Sequence, residues 1–276
     1  MTAMQGVMQD VADRGLVLLG CGRMGSALLD GWLKAGLPPG SVWILDPEPS
    51  DWVKGTGAHL NADLPDAPAV ALVAVKPQMM GAALPSMQAL GGGETLFVSV
   101  AAGTPIARFE AAFGAATPIV RTMPNTPAAI GRGISALVGN ARATEHHMDL
   151  AERLMQAVGQ TVRIDDEAQI DAVTGVSGSG PAYVFHLIET LAAAGVEQGL
   201  DADIAMRLAK ATVGGAGQLA EDSGEEPAQL RRNVTSPGGT TQAALEVLMD
   251  RETGFPPLLS RAVTAAVARG RELANE

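Results

Sequence analysis

A glycine-spaced turn between a short apolar run and a helical pattern constrains this 276-residue chain more than any other feature. Leu16-Val17-Leu18-Leu19 leads into Gly20-Cys21-Gly22-Arg23-Met24-Gly25, and Met24–Ala35 then carries Ala, Leu and Met at helical spacing. Gly-x-Gly-x-x-Gly set between a strand and a helix predicts a dinucleotide-binding turn. Gly20 permits the tight turn, Gly22 lets a pyrophosphate approach the backbone, and Gly25 lets the helix pack close to the strand. The helix start then offers unpaired N–H groups and a partial positive charge to the phosphates, so residues Gly20, Cys21, Gly22, Arg23, Met24 and Gly25 form the expected phosphate side of the site. Cys21 reads as a small side chain in this turn, since no activating partner for a thiolate is evident.

The texture around the turn supports this context. Val42–Leu45, Val70–Val75, Leu96–Val100 and Ile119–Arg121 are further short runs rich in Val, Leu and Ile. Runs without polar alternation are typical of strands covered on both faces. Ile134–Val138 and Thr161–Ile164 read as edge strands, with a helix over Glu145–Val158 between them. Strands alternating with helical stretches predict an α/β doubly wound sheet. After Asp165 the β-rich runs stop. Ala182–Gln198, Asp201–Glu221, Thr240–Asp250 and Pro257–Leu273 read as Ala-rich helices, the first opened by Pro181. The expected organisation is a loose extension over 1–14, a dinucleotide-binding domain over 15–164 and an all-α domain over 165–276. Ala182–Gln198 is apolar on nearly every side, which calls for burial all round and hence a second subunit. His186, inside it, reads as a satisfied core residue. His59, His146 and His147 also receive no catalytic role.

Composition removes several classes of function. Apolar residues make up 47% and charged residues 18%, which provides for a core and argues against disorder. Nineteen Lys and Arg against 30 Asp and Glu give a net charge of −11, and only 3% of residues are aromatic. Nucleic acid and anionic membranes, which require basic patches, are therefore not expected partners. The single cysteine supports neither a disulfide nor a Cys-based zinc site, and no His-x-x-x-His occurs, so no metal is expected. Met1–Arg14 lacks the pattern of a secretory signal, and the longest apolar runs, such as Ala69–Val75, are far too short for a span. A soluble protein in a reducing, cytoplasmic compartment is the expectation.

The end of the second strand bears on the nucleotide. Asp46 in Leu45-Asp46-Pro47-Glu48 lies 21 residues after Gly25, a spacing that suits an acid bonding a ribose 2′-hydroxyl. Asp46 and Glu48, with no Arg or Lys before Lys54, would repel a 2′-phosphate. The charge pattern leans to NADH over NADPH without closing the choice. The plain alternative is that Asp46 caps a turn before Pro47. Farther on, Ser236-Pro237-Gly238-Gly239-Thr240-Thr241 precedes an apolar helical run near Gln242. Gly238 and Gly239 can turn N–H groups inward as an anion nest, and Ser and Thr hydroxyls add donors. The alternative there is an ordinary helix start capped by Ser236 or Thr240.

Taken together, the motifs become specific. Ala74-Val75-Lys76-Pro77-Gln78, Ser99-Val100-Ala101-Ala102-Gly103 and Arg121-Thr122-Met123-Pro124-Asn125-Thr126-Pro127 each follow a strand. Asp171-Ala172-Val173-Thr174, Ser177-Gly178-Ser179-Gly180-Pro181-Ala182-Tyr183 and Thr235-Ser236-Pro237-Gly238-Gly239-Thr240-Thr241 come after them. In this order the chain, from about Gly15 to Leu273, resembles the pyrroline-5-carboxylate reductases. The resemblance implies a Rossmann-type domain, a helical C-terminal dimerisation domain, a homodimer or a decamer of five dimers, and a site between the domains completed by the partner subunit. It implies reduction of a cyclic imine to L-proline by hydride from NADPH or NADH. Under it, Asn233, Val234, Thr235, Ser236, Pro237, Gly238, Gly239 and Thr240 bind substrate, and Thr241 orients the ring nitrogen and relays a proton to it. Glu167 matches a substrate-side acid, Asn61 a contact on the adenosine side, and Ala74, Val75, Lys76, Pro77, Ala101 and Ala102 the loops under the nicotinamide and its ribose. Arg231 and Arg232 place positive charge near an anionic substrate or simply mark a surface helix.

Two other readings keep the glycine turn. A β-hydroxyacid dehydrogenase, or another imine reductase, shares the two-domain plan, but the former wants a helix-borne Lys, and Lys210, far in sequence from the Gly-Gly loop, is the only Lys after residue 165. A non-catalytic dinucleotide sensor needs the turn alone and leaves Ser236–Thr241 unexplained.

Overall fold

The computed structural model describes residues 3–274, with side chains over 9–272. Two compact units emerge, Met1–Gly178 with Val267–Glu276, and Ser179–Ala266. The first unit runs α1 (Ala3–Arg14), β1 (Leu16–Leu19), α2 (Arg23–Lys34), β2 (Val42–Leu45), α3 (Asp51–Lys54), β3 (His59–Leu60), β4 (Val70–Val73), α4 (Met80–Ala83), β5 (Leu96–Ser99), α5 (Ile106–Phe113), β6 (Ile119–Met123), β7 (Gly133–Gly139), α6 (Glu145–Gln156), β8 (Gly159–Arg163) and α7 (Ile170–Val173). The sheet order is β3-β2-β1-β4-β5-β6-β7-β8, with every pairing parallel except β6 with β7. This is the doubly wound order, and it reverses between β1 and β4, where such sheets hold nucleotides beyond their strand ends.

The apolar runs are continuous because both faces of the sheet are covered. Leu16 and Leu18 join a core with Leu28, Leu29, Trp32 and Leu154, while Val17 and Leu19 join another with Met80, Phe109 and Phe113. Burying each such side chain stabilises the fold by roughly 1.5–3 kcal/mol. Trp32 also donates its indole N–H to the Leu154 carbonyl at 2.9 Å, joining α2 to α6. At the sheet edge, Arg163 on β8 bridges Asp149 (2.5 Å), Glu152 (2.7 Å) and Glu145 on α6. These carboxylates, Asp149 first, raise the guanidinium pKa still further above its ordinary value.

The structure corrects several expectations. The segment read as a loose extension is a helix from Ala3. Val11 is fully buried, Arg14 donates to the carbonyls of Ala67 and Pro68, and Ala12 O accepts from Ser41. Met1 and Thr2 lie outside the described residues. The two-residue β3 was not anticipated, being too short to show a period. Residues 165–178, read as the start of the helical domain, are held to the first unit. Ile170 is in its core, and Asn125 donates to Ser177 O at 3.1 Å.

The second unit contains α8 (Gly180–Glu197), α9 (Ala202–Asp222), α10 (Pro227–Asn233), α11 (Thr240–Leu248) and most of α12 (Phe255–Ala274). Its small core is Ala192, Ala205 and Ala209, with Ile188 and Met206 against them. As expected for a helix that one small helical unit cannot cover alone, α8 is not buried all round within one chain. Ala192 alone is buried, while Phe185 is 59% exposed and Val184, Leu187, Leu191 and Val196 are exposed too. His186 likewise is an exposed residue, paired with Glu189 at 3.1 Å, and not a core one. No helix among the described residues is long and apolar enough to cross a membrane.

Candidate functional site

The glycine turn sits beyond β1 at the topological switch. Gly20 has φ +85°, and a Cβ there would lie 2.7 Å from Val75 Cγ1. A Cβ on Gly25 would lie 2.4 Å from Gly20 O and 3.6 Å from Ala74 Cβ, so helix, turn and the end of β4 are in contact only because both residues are glycine. Gly22 differs: a Cβ there would meet nothing within 4 Å. The protein does not fill that space, and it lies against the start of α2, where Gly22 is the N-cap without any side-chain cap. An open approach to an uncapped helix start is what a pyrophosphate requires. Arg23, exposed beside it, adds positive charge, and Met24 packs partly into the core.

The remaining cofactor candidates of this unit cluster at the same end of the sheet. Asp46 accepts from Cys21 N at 2.6 Å and from Glu48 N at 2.8 Å, and Asn61 contacts its main chain. Ala74 N donates to Leu19 O, extending the ladder one step past β4. Lys76 is exposed and caps the short turn Pro77–Met79, which Pro77 opens. Past β5, Val100 N donates to Val73 O and Ala101 N to Ser99 Oγ. Ala101 is buried, Ala102 exposed. Burial is the main cause raising the Cys21 thiol pKa, with the Asp46 charge adding to it and the contact to Ser26 opposing. At neutral pH the thiol is protonated and no nucleophile.

In the second unit, Ser236–Gly239 forms the turn between α10 and α11. Gly238 is left-handed (φ +70°), and Gly239 N donates to Ser236 O at 3.0 Å. Gly239 is the N-cap of α11, with no side-chain cap. The alternative in which Ser236 or Thr240 caps this helix is therefore ruled out. Gly238 N donates to Gln242 Oε1 at 2.7 Å, a carbonyl-type oxygen already seated on a nest N–H. Ser236, Pro237, Gly238 and Thr240 are exposed, and Thr241 is half-buried. Arg231, Arg232, Thr235 and Gln242 line one groove. Val234 is exposed. The Asn233 amide is engaged by Gln229 (2.6 Å) and Glu225 (3.0 Å).

Comparison with known proteins follows the same two parts. Residues 167–273 match the family described as pyrroline-5-carboxylate reductase dimerisation, and residues 15–103 the one described as NADP oxidoreductase, coenzyme F420-dependent. A pyrroline-5-carboxylate reductase of Pseudomonas aeruginosa is 41% identical over 267 residues, covering 95% of this chain and 97% of that protein. The chain belongs to the pyrroline-5-carboxylate reductase family. Another reductase, from Pisum sativum, is 38% identical and covers 94% of this chain and 95% of its own length. Two solved relatives share the architecture. The reductase of Coxiella burnetii has TM-score 0.87 at 33% identity, and the Plasmodium falciparum pyrroline carboxylate reductase, solved with NADP bound, has TM-score 0.81 at 28% identity. Each match covers 95% of this chain and 98% of that one.

As a member of the reductase family, the chain uses a nicotinamide dinucleotide and self-associates through its dimerisation region, to which α8 and its exposed apolar residues belong. Within the reductase, Glu167 is tied to a residue that the sequence did not single out as functional. Its Oε1 accepts from Arg121 Nη1 at 2.6 Å and from Ile106 N at 2.8 Å. Arg121 is 5% exposed, so the pair holds a guanidinium inside the sheet layer while capping the start of α5, just past the Ala101–Ala102 loop. Asn125, just past β6, similarly donates to Ser177 O in a π-helical turn over Thr174–Gly178 and accepts from Ile134 N of β7. The only available signal was the strand-end position of Arg121 and Asn125. Their partners lie 46 and 52 residues away.

Proposed function

We propose that the chain reduces the cyclic imine 1-pyrroline-5-carboxylate to L-proline, with cofactor held at the glycine turn and substrate held by the Ser236–Thr241 turn. The reduced nicotinamide supplies the hydride to the imine carbon. The chain's own residues do the rest. Gly20, Cys21, Gly22, Arg23, Met24 and Gly25 hold the pyrophosphate, and Asp46 the ribose. Ala74, Val75, Lys76, Pro77, Ala101 and Ala102 line the nicotinamide side. Ser236, Gly238, Gly239 and Thr240 grip the carboxylate through N–H and hydroxyl donors, with Pro237 shaping the turn and Asn233, Val234 and Thr235 leading into it. The Thr241 hydroxyl orients the ring nitrogen and relays to it a proton drawn from solvent, which completes the amine and leaves the hydroxyl intact. Glu167 supplies the substrate-side carboxylate, held in place by Arg121 Nη1 and Ile106 N.

The observation that carries the substrate assignment is the uncapped start of α11 beside left-handed Gly238, whose N–H already holds an amide oxygen. A carboxylate oxygen suits the same donor better, because a charge-assisted hydrogen bond is stronger. The test is loss of reduced-nicotinamide absorbance on adding pyrroline-5-carboxylate, with proline identified as product. Oxidation with a β-hydroxyacid's keto form instead, or binding without turnover, would refute the reading.

Three finer statements belong to the proposal. NADH is favoured over NADPH, because Asp46 and Glu48 stand at the end of β2 and the nearest Lys, Lys54, is paired with Asp51 at 3.0 Å. A clear kcat/KM advantage for NADPH would reverse this. The minimum assembly is a homodimer and the larger one a decamer of five dimers, which sedimentation distinguishes. The compartment is the cytoplasm, tested by fractionation.

A further inference from the structure

We propose that Gln242 is an internal placeholder for the substrate's carboxylate: its amide oxygen occupies the Gly238 N–H in the empty turn, leaves when substrate or product binds, and so sets how tightly both are held. The inference rests on the Ser236–Thr241 turn being the carboxylate site. Gly238 N donates to Gln242 Oε1 at 2.7 Å, and Gln242 Nε2 donates to Glu246 Oε1 at 3.3 Å. A backbone N–H only donates and an ionised carboxylate only accepts, so these two partners fix which end of the amide faces the turn. The contact is not the usual capping of a helix start. Gln242 is the third helical residue after the N-cap Gly239, a position from which a Gln side chain ordinarily reaches back to the N-cap N–H. Here Gly239 N is already taken by Ser236 O at 3.0 Å. Gln242 reaches one residue farther, onto left-handed Gly238.

The side chain offers that donor a neutral copy of what the substrate offers as an anion. Its oxygen satisfies the N–H while the turn is empty. A carboxylate makes the stronger, charge-assisted bond and displaces it. The displaced amide has room to move into, because Gln242 lines a groove of about 570 Å³ with Arg231, Arg232 and Thr235. Ligand must first break the Gly238–Gln242 bond, so its apparent affinity is reduced by the fraction of chains in which the donor is free. The net strength of one neutral hydrogen bond makes that reduction about 2- to 10-fold. Substrate and product carry the same carboxylate, so both are loosened by the same factor and L-proline leaves more readily.

Variants of the full chain at this one position test it, at saturating NADH, with inhibition by L-proline as the equilibrium measure of carboxylate binding. Gln242→Met keeps the length of the side chain and removes the acceptor. It should lower the L-proline inhibition constant, and KM for pyrroline-5-carboxylate with it, about 2- to 10-fold. For 1-pyrroline, which lacks the carboxylate, kcat/KM should stay at the wild-type value, whereas a merely structural role would move both substrates together. Gln242→Glu seats a charged competitor on the same N–H and should raise the inhibition constant about tenfold or more. Gln242→Ala repeats the Gln242→Met measurement with a side chain too short to disturb the turn. An inhibition constant unchanged or raised in these two variants, an equal change for 1-pyrroline, or an unchanged constant in Gln242→Glu would overturn the proposal. A wild-type chain in which L-proline does not compete with pyrroline-5-carboxylate would instead refute the turn as the carboxylate site, so the two failures are distinct.

Discussion

Gly22 and Gly25 stand three residues apart in one turn, and they should respond oppositely to the same methyl group. A Cβ on Gly25 falls 2.4 Å from Gly20 O, a backbone atom that cannot swing aside. Overpacking of that kind costs about 1–3 kcal/mol. At roughly 2–4 °C per kcal/mol, Gly25→Ala should lower the Tm by about 2–12 °C. A Cβ on Gly22 meets nothing within 4 Å, and φ −70° suits alanine. Alanine is a poorer N-cap by a few tenths of a kcal/mol or more, which its lower unfolded-state entropy, worth about 0.4–1 kcal/mol, offsets. The Tm of Gly22→Ala should therefore stay within about 2 °C of wild type. Cofactor binding reverses the ranking in severity. The new methyl occupies the phosphate's approach to the start of α2. Losing two charge-assisted hydrogen bonds, at about 1.5–3 kcal/mol each, costs at least ~3 kcal/mol, or about 10²-fold in Kd. Differential scanning fluorimetry without cofactor and calorimetric titration with NADH read the two effects separately. If Gly22→Ala bound NADH as the wild type does, or melted as early as Gly25→Ala, the division of labour argued from these positions would be wrong.

Thr241→Ala should lower kcat/KM for pyrroline-5-carboxylate by about 10²-fold or more while leaving the NADH Kd unchanged; intact kinetics would remove Thr241 from proton transfer. Glu167→Ala leaves the buried Arg121 guanidinium without its carboxylate. Breaking a fully buried pair costs ~3–5 kcal/mol, and the 31% exposure of the Glu167 side chain brings the expectation to about 2–3 kcal/mol by urea unfolding. Glu167→Gln, which keeps an acceptor for Ile106 N–H, should lose less. His147 accepts from Thr144 N in the capping box of α6, and its pKa is lowered first by burial and then by His146. A depressed folded pKa means stability present above the unfolded value of about 6.5 and lost as pH falls from there through the folded value. The Tm should drop over that interval in the wild type, and Gln in place of His147 should flatten the drop. Phe185→Glu, on the exposed face of α8, should weaken self-association in sedimentation without disturbing helix content by circular dichroism.

Local demands were legible in the residues alone. The strand–turn–helix at Leu16–Ala35 could be read because backbone sterics at Gly20, Gly22 and Gly25 act within six residues. The doubly wound sheet followed from apolar runs, since strands covered on both faces must be apolar throughout. The Ser236–Thr241 turn was visible for the same reason, and folding added that no side chain caps α11. The choice of partners for polar groups lay beyond reach. Arg121 meets Glu167 across 46 residues, and Asn61 meets Asp46 across the edge of a two-rung strand pair too short to carry a period. In α8 the apolar pattern announced both burial and a second subunit to complete it, and one chain does leave Phe185 and its neighbours uncovered; which of its residues would stay uncovered emerged only on folding. Periodicity and glycine placement act over a few residues and survive in a linear string. Which carboxylate neutralises a buried guanidinium, and which amide meets the Asp46 main chain, depends on distances that exist only after the sheet has assembled.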